Sequence, residues 1–511
     1  MYDVGKNTLT KRSNFMSLIK NWTTELRYQH YDKWPEDYIK QLKKQVSQSK
    51  WRLNYHVQPE TGLLNDPNGF SFFNGKWHLF YQSYPMGAVH GLKSWFHLTS
   101  TNLIDWQKEG ADLLPDSPYD SHGVYSGSAF PLDDRLFLAY TGNVRDNDWN
   151  RFSYQMGAWM DQNNQIEKVQ LPLIEQPPKG YTQHFRDPQI FVYQNKYFMV
   201  IGAQNEALEG KVLTYMSTDL QNWELQGELD FSEHQMGFMV ECPNLVFVDG
   251  KALLLFCPQG LEKEILPYQN IYPNTYVVAN EFDSENNRLT NPSSLKNLDE
   301  GFDVYATQAF NAPDGRALAV SWIGLPEITY PTDREGWAHC LSLTKELTIK
   351  DGMLFQNPVA ETKDLREKEY KLHGQLHAEP QAISTSIENQ YELNIEFEQG
   401  AKGKLTLLAD QKENTGLELS FDTERGTMII NRENVGISFG EEYGNQREFS
   451  IPQGPLSLRV FVDSSVVEIF INDGEKTATT RVFPKESKND ILLSGSQSSF
   501  SGKLWTLRST K

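Results

Sequence analysis

The chain has 511 residues, which is too long for one ordinary domain, so two or more domains are expected. It carries 48 basic and 67 acidic residues, and the resulting charge of −19 argues against nucleic-acid and anionic-membrane partners, which require a basic face. No apolar signal segment and no membrane-spanning apolar run is visible in the sequence, so the expected location is the cytoplasm.

Residues 1–50 are predicted to form a helical N-terminal extension, of which residues 1–20 are polar and typical of a loosely ordered segment. Pro35 can open a helix because its fixed φ suits the first turn. An apolar stripe at a spacing of four residues follows, formed by Tyr38, Leu42 and Val46. We expect this stripe to pack on the main domain.

Five hairpin-turn sequences recur between residues 51 and 350, each ending in a basic residue and followed by an apolar or aromatic run. The basic residues lie 59, 61, 55 and 65 positions apart, and they are Lys76, Arg135, Lys196, Lys251 and Arg316. A period near 60 residues with paired strands in each unit is typical of a β-propeller. Residues 51–350 are therefore predicted to form a propeller of five blades.

Each repeat also carries a polar residue nine or ten positions before its basic residue. These residues are Asp66, Ser126, Asp187, Glu241 and Thr307. Equivalent positions in the blades surround one axis, so three carboxylic acids from distant parts of the chain should converge there. Each acid is followed at one or two positions by proline, which removes a backbone donor and favours an extended predecessor.

The C-terminal third shows a different pattern. Residues 351–372 are rich in Lys, Glu and Asp and are predicted to be a linker. From residue 373 to 511, short alternating strands without the 60-residue period indicate a β-sandwich. This sandwich could cover one side of the propeller or act as a carbohydrate-binding module.

Three motifs carry a family resemblance: Asn65–Gly69 (Asn-Asp-Pro-Asn-Gly), Arg186–Pro188 (Arg-Asp-Pro) and Glu241–Cys242. Together they resemble glycoside hydrolase family 32, the invertase and fructan-hydrolase family. Further matching segments are Phe80–Gln82, Tyr125–Ser128, Tyr305–Gln308 and Ser321–Gly324. The resemblance covers about residues 20–511 and implies an all-β protein, with a five-bladed β-propeller followed by a C-terminal β-sandwich.

The resemblance also implies a mechanism and a set of roles. Asp66 would be the nucleophile, Glu241 the acid and then the base, and Asp187 would hold fructose hydroxyls, kept ionised by Arg186. We expect the sugar to be contacted by Asn65, Gln82, Trp95, Tyr125, Ser126, Arg186 and Trp322. No metal and no cofactor is expected; the partner is a small sugar, and the oligomeric state is left open.

One segment departs from the pattern of many invertases and resembles the bacterial sucrose-6-phosphate hydrolases, namely His90–Trp95. This favours hydrolysis of sucrose 6-phosphate, or sucrose, with release of fructose. The alternatives are an exo-acting fructan or fructo-oligosaccharide hydrolase and a non-catalytic sugar-binding propeller. If a phosphate is bound, a local basic pocket is required. Lys93 is the first candidate for it and His90 the second, while Arg145 and Arg151 lie where loops at the pocket mouth are plausible.

Overall fold

The structure is a computed structural model that describes residues 18–109, 113–385, 387–410, 412–413, 415–485, 489–496 and 498–510. Most of the segment expected to be loosely ordered, residues 1–17, therefore lies outside the described residues. Two helices follow, α1 (Thr24–Arg27) and α2 (Glu36–Val46), separated by a 3₁₀ turn at Tyr31–Lys33. No helix in the described ranges is long and apolar enough to cross a membrane.

Helix α2 begins where the sequence predicts. Pro35 is its N-cap residue, and acidic side chains in its first turn and lysines in its last turn suit the helix dipole. The predicted stripe is confirmed, because Tyr38, Leu42 and Val46 are all buried. They belong to a cluster that also contains Trp337 of the propeller and Phe483 of the C-terminal part, so the extension packs against both.

The propeller consists of five sheets in chain order. The first blade contains β1 (Gly62–Phe73), β2 (Lys76–Tyr84), β3 (Ser94–Ser100) and β4 (Gln107–Lys108). The second contains β5 (Val124–Leu132), β6 (Arg135–Arg145), β7 (Arg151–Met160) and β8 (Ile166–Lys168). The third contains β9 (Tyr181–Tyr193), β10 (Lys196–Asn205), β11 (Gly210–Ser217) and β12 (Glu224–Glu228).

The last two blades include additional short strands. The fourth contains β13 (Met239–Val248), β14 (Lys251–Gln259), β15 (Thr275–Ala279), a ribbon of β16 (Phe282–Asp283) and β17 (Arg288–Leu289), and β18 (Lys296–Asn297). The fifth region contains β19 (Val304–Asn311), β20 (Ala317–Ile323), a 3₁₀ turn at Asp333–Glu335, β21 (Trp337–Ala338), β22 (Cys340–Leu341), β23 (Lys345–Lys350) and β24 (Met353–Pro358). Strand β21 pairs with β1 of the first blade.

The first strands of the five blades form a closed ring. Strand β1 contacts β5, β5 contacts β9, β9 contacts β13, β13 contacts β19, and β19 returns to β1. Each predicted hairpin turn joins the first two strands of a blade; Asn74-Gly75 and Asp249-Gly250 both have positive φ at the two positions, as type I′ turns require. The five-bladed propeller predicted from the repeats is confirmed.

The C-terminal part is a sandwich of two six-stranded antiparallel sheets. In chain order its elements are β25 (Arg366–Gln375), β26 (Gln381–Ser384), β27 (Gln390–Phe397), β28 (Lys402–Asp410), β29 (Thr415–Asp422), β30 (Thr427–Asn431), a 3₁₀ turn at Glu441–Tyr443, β31 (Gln446–Ser450), β32 (Leu456–Asp463), β33 (Val466–Ile471), β34 (Lys476–Arg481), β35 (Asp490–Gly495) and β36 (Ser499–Leu507). One sheet has the order β25-β36-β27-β32-β33-β34, and the other β26-β35-β28-β29-β30-β31. Alternate apolar residues of both sheets share one buried cluster, as in other sandwiches.

The predicted linker at 351–372 is wrong. It contains β24, a 3₁₀ turn at Ala360–Leu365 and most of β25. Strand β24 pairs with β23 across the Asp351-Gly352 turn and completes the fifth blade. Strand β25 is an edge strand of the sandwich whose side chains are mostly exposed, so the charged composition reflects a solvent-facing edge.

Candidate active site

In each blade, the polar repeat residue of the first strand lies at or next to a β-bulge. The antiparallel register of each first strand shifts at residues 65–66, 125–126, 187–188, 242–243 and 306–307. A bulge of this kind bends the strand and re-aims a side chain. The bulges direct the side chains of Asp66, Asp187 and Glu241 toward one cavity of about 180 Å³. Residues of strands β2, β14 and β20 also line this cavity.

The backbone at these bulges includes non-glycine residues in the left-handed region. Asp187 has φ +69°, Cys242 +49° and Ala306 +47°. Such conformations are disfavoured for L-residues and persist where the surrounding structure holds them, which is common at functional sites. In the first blade, Gly69 has φ +57°, and a Cβ there would lie 2.6 Å from the Phe80 ring. The glycine of the Asn-Asp-Pro-Asn-Gly motif is therefore required by packing as well as by backbone shape.

Asp66 is held by hydrogen bonds to both carboxylate oxygens. Ser126 donates to Oδ2 at 2.5 Å, and the Asn65 side-chain amide donates to Oδ1 at 3.1 Å. Gln82 links these two donors, because it accepts from Asn65 at 2.5 Å and donates to Ser126 Oγ at 2.8 Å. Burial raises the pKa of Asp66, the Ser126 hydrogen bond opposes this shift, and the negative charge of Glu241 adds to it.

Lys93 also belongs to this network. It is only 3 % exposed, and its Nζ donates to Asn65 Oδ1 at 2.6 Å. Burial lowers the pKa of Lys93 to about 7. Lys93 lines the cavity, but its ammonium group is already engaged by Asn65, so phosphate binding by Lys93 stays a prediction that this hydrogen bond does not favour. Sequence alone could not show that the lysine points toward Asp66.

Asp187 is the most enclosed of the three acids. Its Oδ2 accepts the backbone N–H of Cys242 at 2.9 Å, and its own N–H donates to Thr141 Oγ1 at 3.0 Å. The Cys242 thiol lies between two acids, with Sγ 3.6 Å from Asp187 Oδ2 and 3.7 Å from Asp66 Oδ2. Burial raises the pKa of Asp187 to about 7, although the positive charge of Arg186 opposes the shift.

Arg186 does not form the contact expected for it. Its Nε and Nη2 donate to Glu241 Oε1 at 3.0 and 2.7 Å. Adjacent residues at the bulge point their side chains in different directions, so the guanidinium of Arg186 reaches Glu241 in the next blade. The positive charge of Arg186 still favours the ionised form of Asp187, as predicted, but burial outweighs it. The other oxygen of Glu241 accepts hydrogen bonds from Gln259 and Tyr305, each at 2.7 Å.

Most of the other predicted sugar contacts lie at the cavity. Its lining includes Asn65, Gln82, His90, Lys93, Tyr125, Arg186 and Trp322, whereas Ser126 lies beneath Asp66 and Asp187 completes the acidic side. His90 is exposed and its ring lies 6.4 Å from that of Trp322. Trp95 is the exception: it is fully buried on β3, packs on Phe80, and donates from Nε1 to the Tyr125 carbonyl at 3.0 Å. The prediction of a sugar contact at Trp95 is wrong, because the residue belongs to a blade core.

Several residues at the cavity were missed from the sequence. They are Tyr28, Gln259, Tyr305 and Pro326 as lining residues, and Cys242 between the acids. Arg151, which the sequence analysis placed near the pocket mouth, also lines the cavity. A usable signal existed for Gln259, which lies near the end of the second strand of its blade, as Gln82 does in β2. Tyr28 had no signal, since it comes from the N-terminal extension. No group of three or more His, Cys, Asp or Glu among the described residues could hold a metal ion.

Two sequence models match adjoining parts of this architecture. The glycosyl hydrolases family 32 N-terminal domain matches residues 56–358, and the glycosyl hydrolases family 32 C terminal matches residues 361–506. The chain belongs to glycosyl hydrolase family 32. As a family 32 member it is a glycosidase, and the propeller and sandwich are the two matched regions.

Other family 32 proteins resemble the chain over nearly its full length. The sucrose-6-phosphate hydrolase of Pediococcus pentosaceus is 49 % identical over 491 residues, covering 96 % of this chain and 97 % of the relative. The structure of sucrose-6-phosphate hydrolase from Lactobacillus gasseri matches with a TM-score of 0.92 and 45 % identity, covering 96 % of this chain and 100 % of that chain. A mutant β-fructofuranosidase from Bombyx mori in complex with sucrose matches with a TM-score of 0.78 and 30 % identity, covering 93 % and 97 %.

Proposed function

We propose that this protein is a retaining β-fructofuranosidase that hydrolyses sucrose 6-phosphate, and sucrose less well, to release fructose. The observation that carries the proposal is the single cavity in which Asp66, Asp187 and Glu241 meet. Support for the phosphorylated substrate comes from relatives named sucrose-6-phosphate hydrolase that cover almost the whole chain. A phosphorylated sugar is charged and does not cross a bilayer unaided, so we place the reaction in the cytoplasm.

Asp66 is the nucleophile in this proposal. Cleavage of the bond between C2 of fructose and the bridging oxygen builds positive charge at C2, and the Asp66 carboxylate attacks there to form a fructosyl ester. Hydrogen bonds from Ser126 and Asn65 fix the carboxylate before substrate arrives. Because these donors are themselves fixed by Gln82 and Lys93, little rearrangement is needed at the moment of attack.

Glu241 is the acid and then the base. Its proton goes to the bridging oxygen as the C2–O bond breaks, and the resulting carboxylate later takes a proton from the water that attacks the ester. Tyr305 and Gln259 hold one of its oxygens and Arg186 the other. These contacts fix the position of the carboxyl group relative to the leaving sugar.

Asp187 binds hydroxyl groups of the fructose ring. Its carboxyl group is enclosed, and burial raises its pKa because little solvent reaches it. Hydroxyl groups of a bound sugar would supply hydrogen bonds that solvent does not. Hydrogen bonds of this kind accelerate the reaction only if they strengthen in the transition state. The role differs from that of Asp66 because Asp187 lies on the far side of the Cys242 thiol.

Two measurements test the proposal. The first compares kcat/KM for sucrose 6-phosphate, sucrose, 1-kestose and inulin, with the phosphorylated disaccharide expected to be the best substrate. Preference for 1-kestose or inulin would favour the alternative exo-acting fructan hydrolase, and inactivity on all four would favour a sugar-binding propeller. The second is methanolysis followed by NMR: a β-fructoside product is expected, and an α-fructoside would rule out retention.

A further inference from the structure

Two arginines face each other at one end of the second blade. Arg145 is the last residue of β6, Arg151 is the first residue of β7, and the two are direct partners in the antiparallel register. Side chains of directly opposite residues lie close together on one face of a sheet, and like charges in such a pair are destabilising. An anion bound between the two arginines would relieve their repulsion.

Among the described residues, no carboxylate forms an ion pair with Arg145 or Arg151, although the charge of Glu241 acts on Arg151 across the cavity. Arg145 donates from Nη1 to the backbone carbonyl of Trp149 at 3.0 Å, and its Nε is buried without a hydrogen-bond partner among the described residues. Arg151 contacts His184, with Nη1 3.4 Å from Nδ1. In the loop between the two arginines, Asp146 accepts from the backbone N–H groups of Asp148 and Asn150 through Oδ1 and from the Asn150 side-chain amide through Oδ2. Two neighbouring arginines without a carboxylate ion-pair partner among the described residues are unusual in a chain whose net charge is −19.

The arginine pair is connected to the acidic cavity. Arg151 lines the same cavity as Asp66 and Glu241. His184 Nδ1 lies 3.4 Å from Arg151 Nη1 and 3.1 Å from Arg186 Nη1, and Arg186 binds Glu241. Burial and the neighbouring Arg186 lower the pKa of His184 to about 4, so the ring is neutral and can accept from a guanidinium. Arg151 is therefore linked to Glu241 through His184 and Arg186, and Arg151 and Glu241 line the same cavity.

The N-terminal extension completes this side of the cavity. Tyr28, at the end of α1, lines the cavity and packs against Trp149 with a ring separation of 5.0 Å and against His122 at 5.9 Å. Burial raises the pKa of Tyr28, so its hydroxyl keeps its proton and can donate a hydrogen bond. This tyrosine precedes residue 56, where the family match begins, so it belongs to a part of the chain that the family match does not include.

We propose that Arg145, Arg151 and Tyr28 form the subsite that binds the phosphomonoester of the leaving sugar. The inference rests on the proposed function for its substrate. A phosphate dianion would accept charge-assisted hydrogen bonds from both guanidinium groups and relieve their mutual repulsion. Tyr28 would close the site from the N-terminal side. Arg145 and Arg151 take the role that the sequence suggested for Lys93.

The experiment measures kcat/KM for sucrose 6-phosphate and for sucrose in wild type, Arg145→Met, Arg151→Met and Arg135→Met. Arg135 is a matched control, because it is the first residue of β6 and Arg145 is the last, about 33 Å away along the strand. Each of these two arginines also lies over a tryptophan ring, at 4.3 Å for Arg135 and 5.7 Å for Arg145. We expect the Arg145 and Arg151 variants to lose about 10- to 100-fold on sucrose 6-phosphate. On sucrose, Arg145→Met should change by less than about 3-fold. Arg151 lines the catalytic cavity, so Arg151→Met should also lose activity on sucrose, but less than on sucrose 6-phosphate. Arg135→Met should match wild type on both substrates.

Binding of glucose 6-phosphate, measured by calorimetry on the same four proteins, decides the subsite independently of turnover. Wild type and Arg135→Met should bind it, and the Arg145 and Arg151 variants should bind at least about 10-fold more weakly, as expected for loss of one charge-assisted hydrogen bond. Equal losses on both sugars, or unchanged glucose 6-phosphate binding in the variants, would overturn the subsite while leaving the fructosidase proposal intact. Inactivity of wild type on both sugars would instead overturn the proposed function.

Discussion

The Nζ atom of Lys93 donates a hydrogen bond of 2.6 Å to Oδ1 of Asn65. This bond fixes which end of the Asn65 amide faces Asp66, because the amide nitrogen must then point toward the carboxylate, to which it donates at 3.1 Å. Lys93 therefore acts on Asp66 through Asn65. It is a positioning residue, and its effect should be independent of the leaving group.

Lys93→Met should lower kcat on sucrose and on sucrose 6-phosphate by the same factor, about 10-fold or more, because a misplaced nucleophile reduces the rate with any leaving group. Methionine keeps much of the buried volume while removing the donor. Lys93→Arg provides the comparison, since it keeps a donor in a different geometry. A rise in KM confined to sucrose 6-phosphate would contradict the positioning role and restore the phosphate role predicted from the sequence.

Asp66→Ala and Glu241→Ala should each lose nearly all activity on sucrose, by about 10²-fold or more, since each removes a group that takes a direct part in bond cleavage in the proposed mechanism. A fructoside with a good leaving group distinguishes the two variants, because protonation matters less for it. Glu241→Ala should therefore recover part of its rate on that substrate, and Asp66→Ala should not. Asp134→Ala, in the exposed turn between β5 and β6, is the control and should match wild type.

The repeat pattern predicted the architecture well because each blade reuses one hairpin and one bulge. The convergence of Asp66, Asp187 and Glu241 followed from that register alone. Contacts between blades were harder to predict: the pairing of Arg186 with Glu241 depends on side-chain direction at a bulge. Tyr28 could not be found, because nothing in a short helix indicates which cavity it will reach.

Asp187→Asn should raise the thermal midpoint at pH 8, with a smaller gain at pH 5, while abolishing most activity. Burial raises the folded-state pKa of Asp187 to about 7, whereas an unfolded aspartate titrates near 3.9. Stability is therefore lost as pH rises from about 4 to 7, since the folded state must give up a proton that it binds tightly. Asparagine avoids this loss and can still accept the Cys242 N–H.

Differential scanning calorimetry at the two pH values tests the Asp187 prediction. An equal difference between variant and wild type at pH 5 and pH 8 would show that the ionisation of Asp187 does not limit stability. Circular dichroism at 20–25 °C serves as the control that both proteins are folded at each pH.

The propeller and the sandwich are joined through a buried histidine. His56 Nδ1 lies 2.9 Å from Asp463, and its Nε2 lies 2.9 Å from Glu468. Asp463 also accepts from the backbone of Asn54, Tyr55 and His56. Burial alone would lower the pKa of His56, but the hydrogen bonds and charges of the two carboxylates raise it to about 9. A protonated His56 can donate to both carboxylates at once.

This arrangement predicts a pH-dependent loss of stability. A histidine whose folded-state pKa lies above its unfolded value, near 6.5, contributes stability that is complete below pH 6.5 and is lost as pH rises through about 9. The thermal midpoint of wild type should therefore fall between pH 7 and pH 9.5. His56→Gln should already be destabilised by several degrees at pH 7, because it leaves buried carboxylates without a cation. The variant should also lack most of the fall in thermal midpoint that wild type shows between pH 7 and pH 9.5. If the variant and wild type lost stability in parallel between pH 7 and pH 9.5, the loss would come from other groups, and His56 would not be the titrating link between propeller and sandwich.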